Sequence, residues 1–112
     1  MTVHPVIGEL RPHWLSAALG TDFEEFHVER HYIQGCARVS GDTLDILAIL
    51  CADPRKGHFR EFMCECKQAY RRIRILRVME PELAAALTRY GFRRCTITER
   101  DGERVPAMRW AK

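Results

Sequence analysis

The chain has 112 residues, of which 46% are hydrophobic and 29% are charged, and its formal net charge is +3. This length suits one domain, residues 1–112, and the apolar runs are too short to cross a bilayer, so we expect a cytoplasmic protein without a membrane partner. The mild positive charge permits an anionic partner but lacks the clustered excess of nucleic-acid-binding proteins, so a nucleic-acid partner is not expected.

The N-terminal segment predicts one helix behind a short lead. Residues 1–7 are largely apolar and predict a short strand or an extended arm. A helix is predicted over Glu9–Leu19, because its apolar residues share one face, Pro12 suits a first helical turn and Gly20 suits a stop.

A pair of strands is predicted next. Polar and apolar residues alternate over Phe26–Ile33, which indicates a strand with one wet face. Gln34-Gly35 predicts a turn, Cys36–Ser40 a second strand, and Ser40-Gly41-Asp42 a hairpin turn into the next strand.

The centre of the chain has the pattern of a strand, a basic loop and a helix. The run Leu44–Cys51 is almost wholly apolar, which predicts a central strand covered on both faces. A break at residues 52–57 is followed by helical spacing of apolar residues as far as Tyr70. A glycine-containing loop before a helix N-terminus is a suitable anion site, because the first N–H groups of the helix lack partners and the helix dipole favours negative charge. A solvated basic turn is the alternative.

The C-terminal part alternates strands and a helix. Ile73–Met79 predicts a strand, and Pro81 suits the first position of a helix that continues to Tyr90. Phe92–Glu99 and Arg104–Trp110 predict a closing hairpin. The whole is α+β, with a mixed, mostly antiparallel sheet. A last strand that ends in Trp110 could exchange or pair between subunits, so the chain is expected to be a monomer or a homodimer.

Three groups of reactive side chains have a structural interpretation as well as a functional one. The five cysteines are expected to be reduced and mostly buried, without a metal-binding arrangement. His27, Glu29 and His31 share one strand face and could bind a metal or act as bases, but such alternation is what an exposed face shows, so no metal site is predicted. A basic cluster could contact an acidic partner or be a solvated face; it comprises Arg71, Arg72, Arg74 and Arg77.

The order of elements and several local motifs resemble the GNAT superfamily of acyl-CoA-dependent N-acyltransferases. The family's loop R/Q-x-x-G-x-G/A, which opens its main helix, corresponds to the segment 54–59, Pro-Arg-Lys-Gly-His-Phe. Its V-x-N strand end corresponds to Val78-Met79-Glu80, and its L-x-x-x-GF helix end to the segment 87–92. The likeness is strongest over Leu44–Phe92, and compact versions of this family occur in bacteriophages.

The resemblance implies that acetyl-CoA or another acyl-CoA binds at the strand–loop–helix junction. The helix N-terminus and the loop N–H groups would hold the pyrophosphate, and the free edge of the central strand would pair with the pantetheine arm, because the neighbouring strand splays away. The residues that correspond to the pantetheine site are Ile49, Leu50 and Cys51. Those that correspond to the phosphate site are Arg55, Lys56, Gly57, His58, Phe59 and Arg60.

The resemblance also assigns catalytic positions. Asp45 lies on the central strand where relatives often place a glutamate base. The family's usual tyrosine acid corresponds to Leu87, the cofactor-binding asparagine corresponds to Glu80, and Tyr90 next to Gly91 is interpreted as structural.

These correspondences support two hypotheses. The first is an N-acetyltransferase that moves an acyl group from acyl-CoA to an amine of a small molecule or protein, with Asp45 or a water chain as base. The second is a GNAT-shaped interaction protein with little or no catalysis, such as a phage effector that binds a host protein in the host cytoplasm. A small nucleic-acid-binding domain is a third and weaker alternative.

Overall fold

The structure is a computed structural model that describes residues 2–12, 22–51, 57–78, 80–99 and 101–112. Its strands are β1 (Val3–His4), β2 (Gly8–Glu9), β3 (Glu24–Val28), β4 (Ile33–Ser40), β5 (Thr43–Cys51), β6 (Arg72–Leu76), β7 (Arg93–Thr98) and β8 (Arg104–Ala111). Its helices are α1 (His58–Ala69), α2 (Pro81–Arg89) and a short 3-10 helix, Glu29–His31.

Six strands form one sheet in the order β3-β4-β5-β6-β8-β7, and β1 and β2 form a separate small hairpin. The β5–β6 pair is parallel, while every other pair in the sheet is antiparallel. The α+β class, the mixed and mostly antiparallel sheet and the C-terminal hairpin are therefore confirmed.

The predicted helix Glu9–Leu19 is wrong at its start. Glu9 belongs to β2, and Arg11 forms an antiparallel bridge with Glu25, with backbone hydrogen bonds of 2.9 and 2.7 Å. Extended pairing of this kind is incompatible with a first helical turn. The remainder of that prediction, residues 13–19, lies outside the described residues.

The turn between β3 and β4 comes earlier than the sequence predicted. Strand β3 ends at Val28, the 3-10 helix follows, and Tyr32 adopts a left-handed conformation with φ of 53°. Gly35 lies within β4 rather than in a turn. A glycine is required there because a Cβ would overlap the Ala48 carbonyl oxygen and lie 3.1 Å from Ile49 Cα. The glycine serves the close approach of two strands and not a positive φ.

Helices α1 and α2 pack on one side of the sheet, which we call the helix face. Phe62 and Met63 of α1 and Leu87 of α2 are fully buried there against apolar side chains of β5, β6 and β8. Burial of one apolar stripe per helix is the main stabilisation of such a layer. On the other side, which we call the open face, a smaller apolar cluster lies against β6, β7 and β8.

The predicted bounds of the C-terminal elements agree with the structure to within a few residues. Helix α2 begins at Pro81, as predicted, and both strands of the closing hairpin are present. Strand β8 lies between β6 and β7, so it has no free edge, and pairing of the last strand across subunits would require it to leave this sheet. Among the helices of the described residues, none has the length and apolar character needed to cross a membrane.

Candidate functional site

Strands β5 and β6 run side by side for only four residue pairs, from Thr43 opposite Arg72 to Ile46 opposite Ile75. Strand β5 continues to Cys51, whereas β6 ends at Leu76. Arg77 adopts a positive φ of 56° and donates its N–H to Pro106 O at 2.7 Å, which turns the chain towards β8. The parallel strands therefore diverge.

A β-bulge marks the same point on β5. Ala37 pairs with Ile46 and Cys36 pairs with Ala48, so Leu47 is the extra residue. Leu44 and Ile46 face the helices before the bulge, and Ile49 and Cys51 face them after it. The bulge thus exchanges the two faces of the strand and re-aims its second half.

The second half of β5 is paired on one side only. Residues Leu47–Cys51 have β4 on one edge, and among the described residues no strand pairs with the other edge. In a strand every second residue directs its N–H and C=O towards a given edge, so these groups are available to an extended ligand. The predicted complete burial of this strand is wrong for this half: Leu50 is 59% exposed.

Helix α1 begins close to this edge in the chain. Gly57 precedes it with φ of +75°, and an added Cβ would meet no heavy atom of the described residues within 4 Å. Gly57 itself therefore places no side chain in front of the first N–H groups of α1. The predicted phosphate-site residues Arg55 and Lys56 lie outside the described residues.

The other predicted cofactor residues do not share one environment. Arg60 is exposed, and Ile49 and Cys51 are half-buried against the helix-face core. Phe59 packs against that core with its ring centroid 6.0 Å from the ring of Tyr90, so it acts as a packing residue. His58 turns towards the β3–β4 connection, where the Tyr32 ring lies 4.9 Å away.

Two shallow cavities lie beside the second half of β5. The larger, of about 370 Å³, is lined by His27, Glu29, Tyr32, Ile33, Gln34 and Leu50. His27, Gln34 and Leu50 are successive cross-strand partners and share the open face. A neighbouring cavity of about 190 Å³ extends along the same strands past Ala48. Together they form a trough that ends at the free part of β5.

Asp45, the predicted base, is 1% exposed on the open face. Its carboxylate accepts hydrogen bonds from Arg74 at 2.6 and 2.7 Å and from Arg38 at 2.8 and 3.2 Å. Hydrogen bonds to Asp45 raise the pKa of Arg74, so the pair is firmly ionic. Both oxygens are engaged, which favours a structural role for Asp45 over the catalytic one.

Leu87 and Glu80 stand at the positions that the resemblance assigns to a tyrosine acid and a cofactor-binding asparagine. Leu87 is fully buried in the core, and Glu80 is an exposed residue at the N-terminus of α2. Tyr90 ends α2, and its carbonyl oxygen accepts a hydrogen bond from Lys67 Nζ. This contact agrees with the structural interpretation of Tyr90.

The predicted basic cluster is rearranged. Arg71 pairs with Asp42, and Arg77 pairs with Glu103. The other two members, Arg72 and Arg74, line a cavity of about 600 Å³ together with Arg93 and Arg109. Arg109 on β8 pairs with Arg74 on β6 and with Arg93 on β7, so it lies directly between these two arginines. Asp45 compensates the charge of Arg74, whereas Arg93 and Arg109 oppose each other directly, which is unfavourable for like charges in a sheet.

The cysteines are less buried than the sequence suggested. Cys66 alone is buried, Cys64 is exposed, and Cys36, Cys51 and Cys95 are intermediate. Burial, with a smaller contribution from the Glu65 charge, raises the pKa of the Cys66 thiol to about 12. Burial also raises the pKa of Tyr70 to about 12, and its hydroxyl donates to Pro5 O at 2.7 Å.

One group of residues was missed. His31 was expected on the exposed face of a strand, but it ends the 3-10 helix and its side chain is 8% exposed. It lies against α1, near His58, Glu61 and Glu65. No sequence pattern indicated this group, because His31 and the α1 residues are far apart in the chain.

Comparisons with known proteins return no relatives: no family model matches the chain, and neither a curated protein nor a solved structure is significantly similar to it.

Proposed function

We propose that this protein binds acyl-CoA in the cleft between β5 and β6 and transfers the acyl group to an amine, as a compact GNAT-like N-acyltransferase. The observation that carries the proposal is the divergence of two parallel strands after Ile46, which leaves the backbone of Leu47–Cys51 free in the middle of a sheet. Backbone hydrogen-bonding groups are rarely left without partners, so a free edge inside a sheet favours an extended ligand.

The chemistry of acyl-CoA fits the two ends of this cleft. Its pantetheine arm is an extended chain with two amides, which can alternate hydrogen bonds with β5 in the way that a peptide strand does. Its pyrophosphate suits the N-terminus of α1, where unpaired N–H groups and the helix dipole favour negative charge. Gly57 leaves room for that approach because it carries no Cβ.

A titration of the protein with CoA and acetyl-CoA, followed by calorimetry, tests the cofactor site. The diagnostic variant is Gly57→Trp, which places an indole at the entrance of α1. Gly102→Trp is the matched control, because Gly102 also has a positive φ, of +84°, and open surroundings but lies in the β7–β8 turn. We expect binding by the wild type and Gly102→Trp and none by Gly57→Trp. Equal binding by both variants would place the ligand elsewhere, and absence of binding to the wild type at millimolar ligand rejects the proposal.

The transfer step needs a base near the thioester. The amine nitrogen attacks the thioester carbonyl, the amine proton passes to the base, and CoA leaves as a thiolate that takes up a proton. N–H groups on the free part of β5 would stabilise the oxyanion. His27 is more accessible as a base than Asp45, since it lines the trough, is exposed, and is held 2.8 Å from Glu25. Because β4 separates His27 from β5, a chain of water molecules would carry the proton to it.

Release of free thiol from acetyl-CoA distinguishes the two bases. His27→Gln is expected to lower turnover about 100-fold, the lower range for loss of a general base. Asp45→Asn is expected to lower the amount of folded protein and to leave the turnover of the folded fraction within a few-fold. Turnover that falls only in Asp45→Asn, with folding intact, would restore the base predicted from the sequence.

A second candidate is an interaction protein of the same fold, and the arginine row supports it. Leu87 and Glu80 lack the acid and amide expected of an active member, while Arg72, Arg93 and Arg109 form an open basic cavity with Arg74. The partner would be an acidic protein surface. Binding of an acidic peptide that weakens with salt and is lost in Arg93→Gln/Arg109→Gln supports this candidate. Salt-insensitive binding, or binding unchanged in the double variant, rejects it.

A further inference from the structure

The group at the start of α1 has the composition of a metal site. His58 is the first residue of α1, Glu61 lies one turn later on the same side, and His31 approaches from the 3-10 helix. One ligand atom from each of these three residues lies within 4.8 Å of the others. Three side chains from two separate parts of the chain therefore converge on a single point.

Two nitrogen atoms at that point have no hydrogen-bond partner. His31 Nδ1 and His58 Nδ1 are both buried, and neither forms a hydrogen bond within the described part of the chain. The nearest carboxylate oxygen to His31 Nδ1 is Glu61 Oε2, at 3.6 Å, which is too long for a hydrogen bond. A buried polar atom without a partner costs free energy, so two such atoms in one group of residues require an explanation.

The hydrogen bond made by the other nitrogen of His31, Nε2, indicates that the lone pair of Nδ1 is free. His31 Nε2 is hydrogen-bonded to Glu65 Oε2, and the ionised carboxylate can only accept, so Nε2 carries the proton. Nδ1 of a neutral imidazole is then a bare lone pair. Glu61 Oε2 lies 3.6 Å from it. A carboxylate that fixes the far nitrogen of a histidine is the usual outer partner of a metal-bound histidine.

We propose that His31 Nδ1, His58 Nδ1 and the Glu61 carboxylate bind one divalent transition-metal ion, Zn²⁺ by ligand chemistry. Two imidazoles and one carboxylate suit zinc, whereas Mg²⁺ and Ca²⁺ prefer sites made of oxygen alone. The three ligands leave a fourth, open position. Glu61 is the exposed member, with 66% of its side chain accessible, so that position faces solvent.

The surrounding charges offset one unfavourable element. The N-terminus of a helix repels a cation, but Glu61 and Glu65 add two negative charges within two turns of α1. Arg30 donates a hydrogen bond to Glu65 Oε1 at 2.9 Å, which holds this carboxylate in place beside His31. Tyr32 closes one side of the site by its edge contact with His58.

Zinc titration of the reduced protein, without any acyl-CoA, tests this proposal separately from the acyltransferase. We expect one Zn²⁺ per chain, a raised melting temperature, and a Co²⁺ complex whose near-ultraviolet spectrum lacks thiolate-to-metal charge transfer. Glu61→Gln and His58→Gln are expected to abolish stoichiometric binding. Glu65→Gln is expected to weaken it about 10- to 100-fold, the usual effect of removing an outer partner.

Two controls separate this site from others in the chain. His27→Gln removes an exposed histidine outside the cluster, and Cys64→Ser removes the exposed thiol. Both are expected to bind zinc as the wild type does. Binding that survives in Glu61→Gln and His58→Gln, that disappears in Cys64→Ser, or that is absent from the wild type overturns the proposal.

Discussion

Arg74 donates two hydrogen bonds to Asp45, at 2.6 and 2.7 Å, across the only parallel strand pair of the described sheet. Arg38 donates to the same carboxylate from the opposite neighbour, β4. One buried negative charge therefore joins three adjacent strands at the level just before β5 and β6 diverge. This anchor lies immediately before the part of β5 that is paired on one edge only.

Replacing the buried carboxylate should be costly. We expect Asp45→Asn to lower the free energy of unfolding by about 3 kcal/mol, the lower end for breaking a buried ion pair, because both arginines can partly regain water. The matched control is Asp42→Asn at an exposed pair 4.0 Å from Arg71, which should change the free energy by less than about 1 kcal/mol. Urea denaturation measures both. Equal midpoints for the two variants would contradict the anchoring role.

Two glycines should respond in opposite ways to substitution. At Gly35 the obstacle is the backbone of β5, so Gly35→Asn should destabilise the fold at least as much as Gly35→Ala. At Gly57 the obstacle is the positive φ, which asparagine tolerates, so Gly57→Asn should be milder than Gly57→Ala, by up to about 1 kcal/mol. Thermal melts of the four variants test this. The same order at both positions would show that one of the two explanations is wrong.

Alkaline pH should destabilise the protein through Cys66. The ordinary thiol pKa of 9.0 is raised to about 12 by burial in the folded state. The unfolded chain therefore releases this proton first as the pH rises. The free energy of unfolding decreases from pH 9.0 until the pH passes the pKa of Cys66 in the folded state. The expected loss is about 1 kcal/mol per pH unit.

Denaturation at pH 9 and pH 10 reports mainly on that contribution, because Tyr70, the other described group whose pKa burial raises, has an ordinary pKa of 10.0 and ionises in the unfolded chain only towards the top of this range. Cys66→Ala should flatten the pH dependence, whatever its effect on absolute stability. Cys64→Ala should keep the wild-type slope, since it leaves the buried thiol in place. An unchanged slope in Cys66→Ala would show that this thiol is not responsible.

The same burial should make the cysteines react at different rates. Cys64 is exposed on α1, whereas Cys66 is fully buried two residues later. Because the thiolate is the reactive species, alkylation at neutral pH should modify Cys64 readily and leave Cys66 unmodified until the protein unfolds. Peptide mapping by mass spectrometry after timed labelling measures both sites. Early modification of Cys66 would indicate local opening of α1.

Sequence patterns predicted the second half of the fold well. Pro81 and the apolar spacing after it define α2, and the alternation of residues in β7 and β8 defines the hairpin. These signals are local, and no distant contact opposes them. The end of α1 near Tyr70 was predicted for the same reason. The strand predicted over Ile73–Met79 continued past Leu76, where β6 ends, because its apolar run gave no sign that Arg77 turns the chain.

The failures arise where tertiary contacts decide. Gly35 resembles a turn residue, yet it is required by the approach of β5 at Ala48. Alternation through His31 suggested a continuous strand, although the chain turns after Val28 and buries that histidine against α1. Asp45 looked like an isolated acid because its partners lie on other strands. No spacing rule in one sequence reveals such pairs.

The divergence of β5 and β6 also bears on self-association. An unpaired strand edge at the rim of a sheet invites a second copy of the chain to add its own strand. The free edge of Leu47–Cys51 is instead recessed between two strands of the same sheet, with β4 behind it and β6 turned towards β8. A strand from a second folded copy could pair there only if β6 and β8 moved aside, so this edge does not promote self-association in the way that an outer edge does.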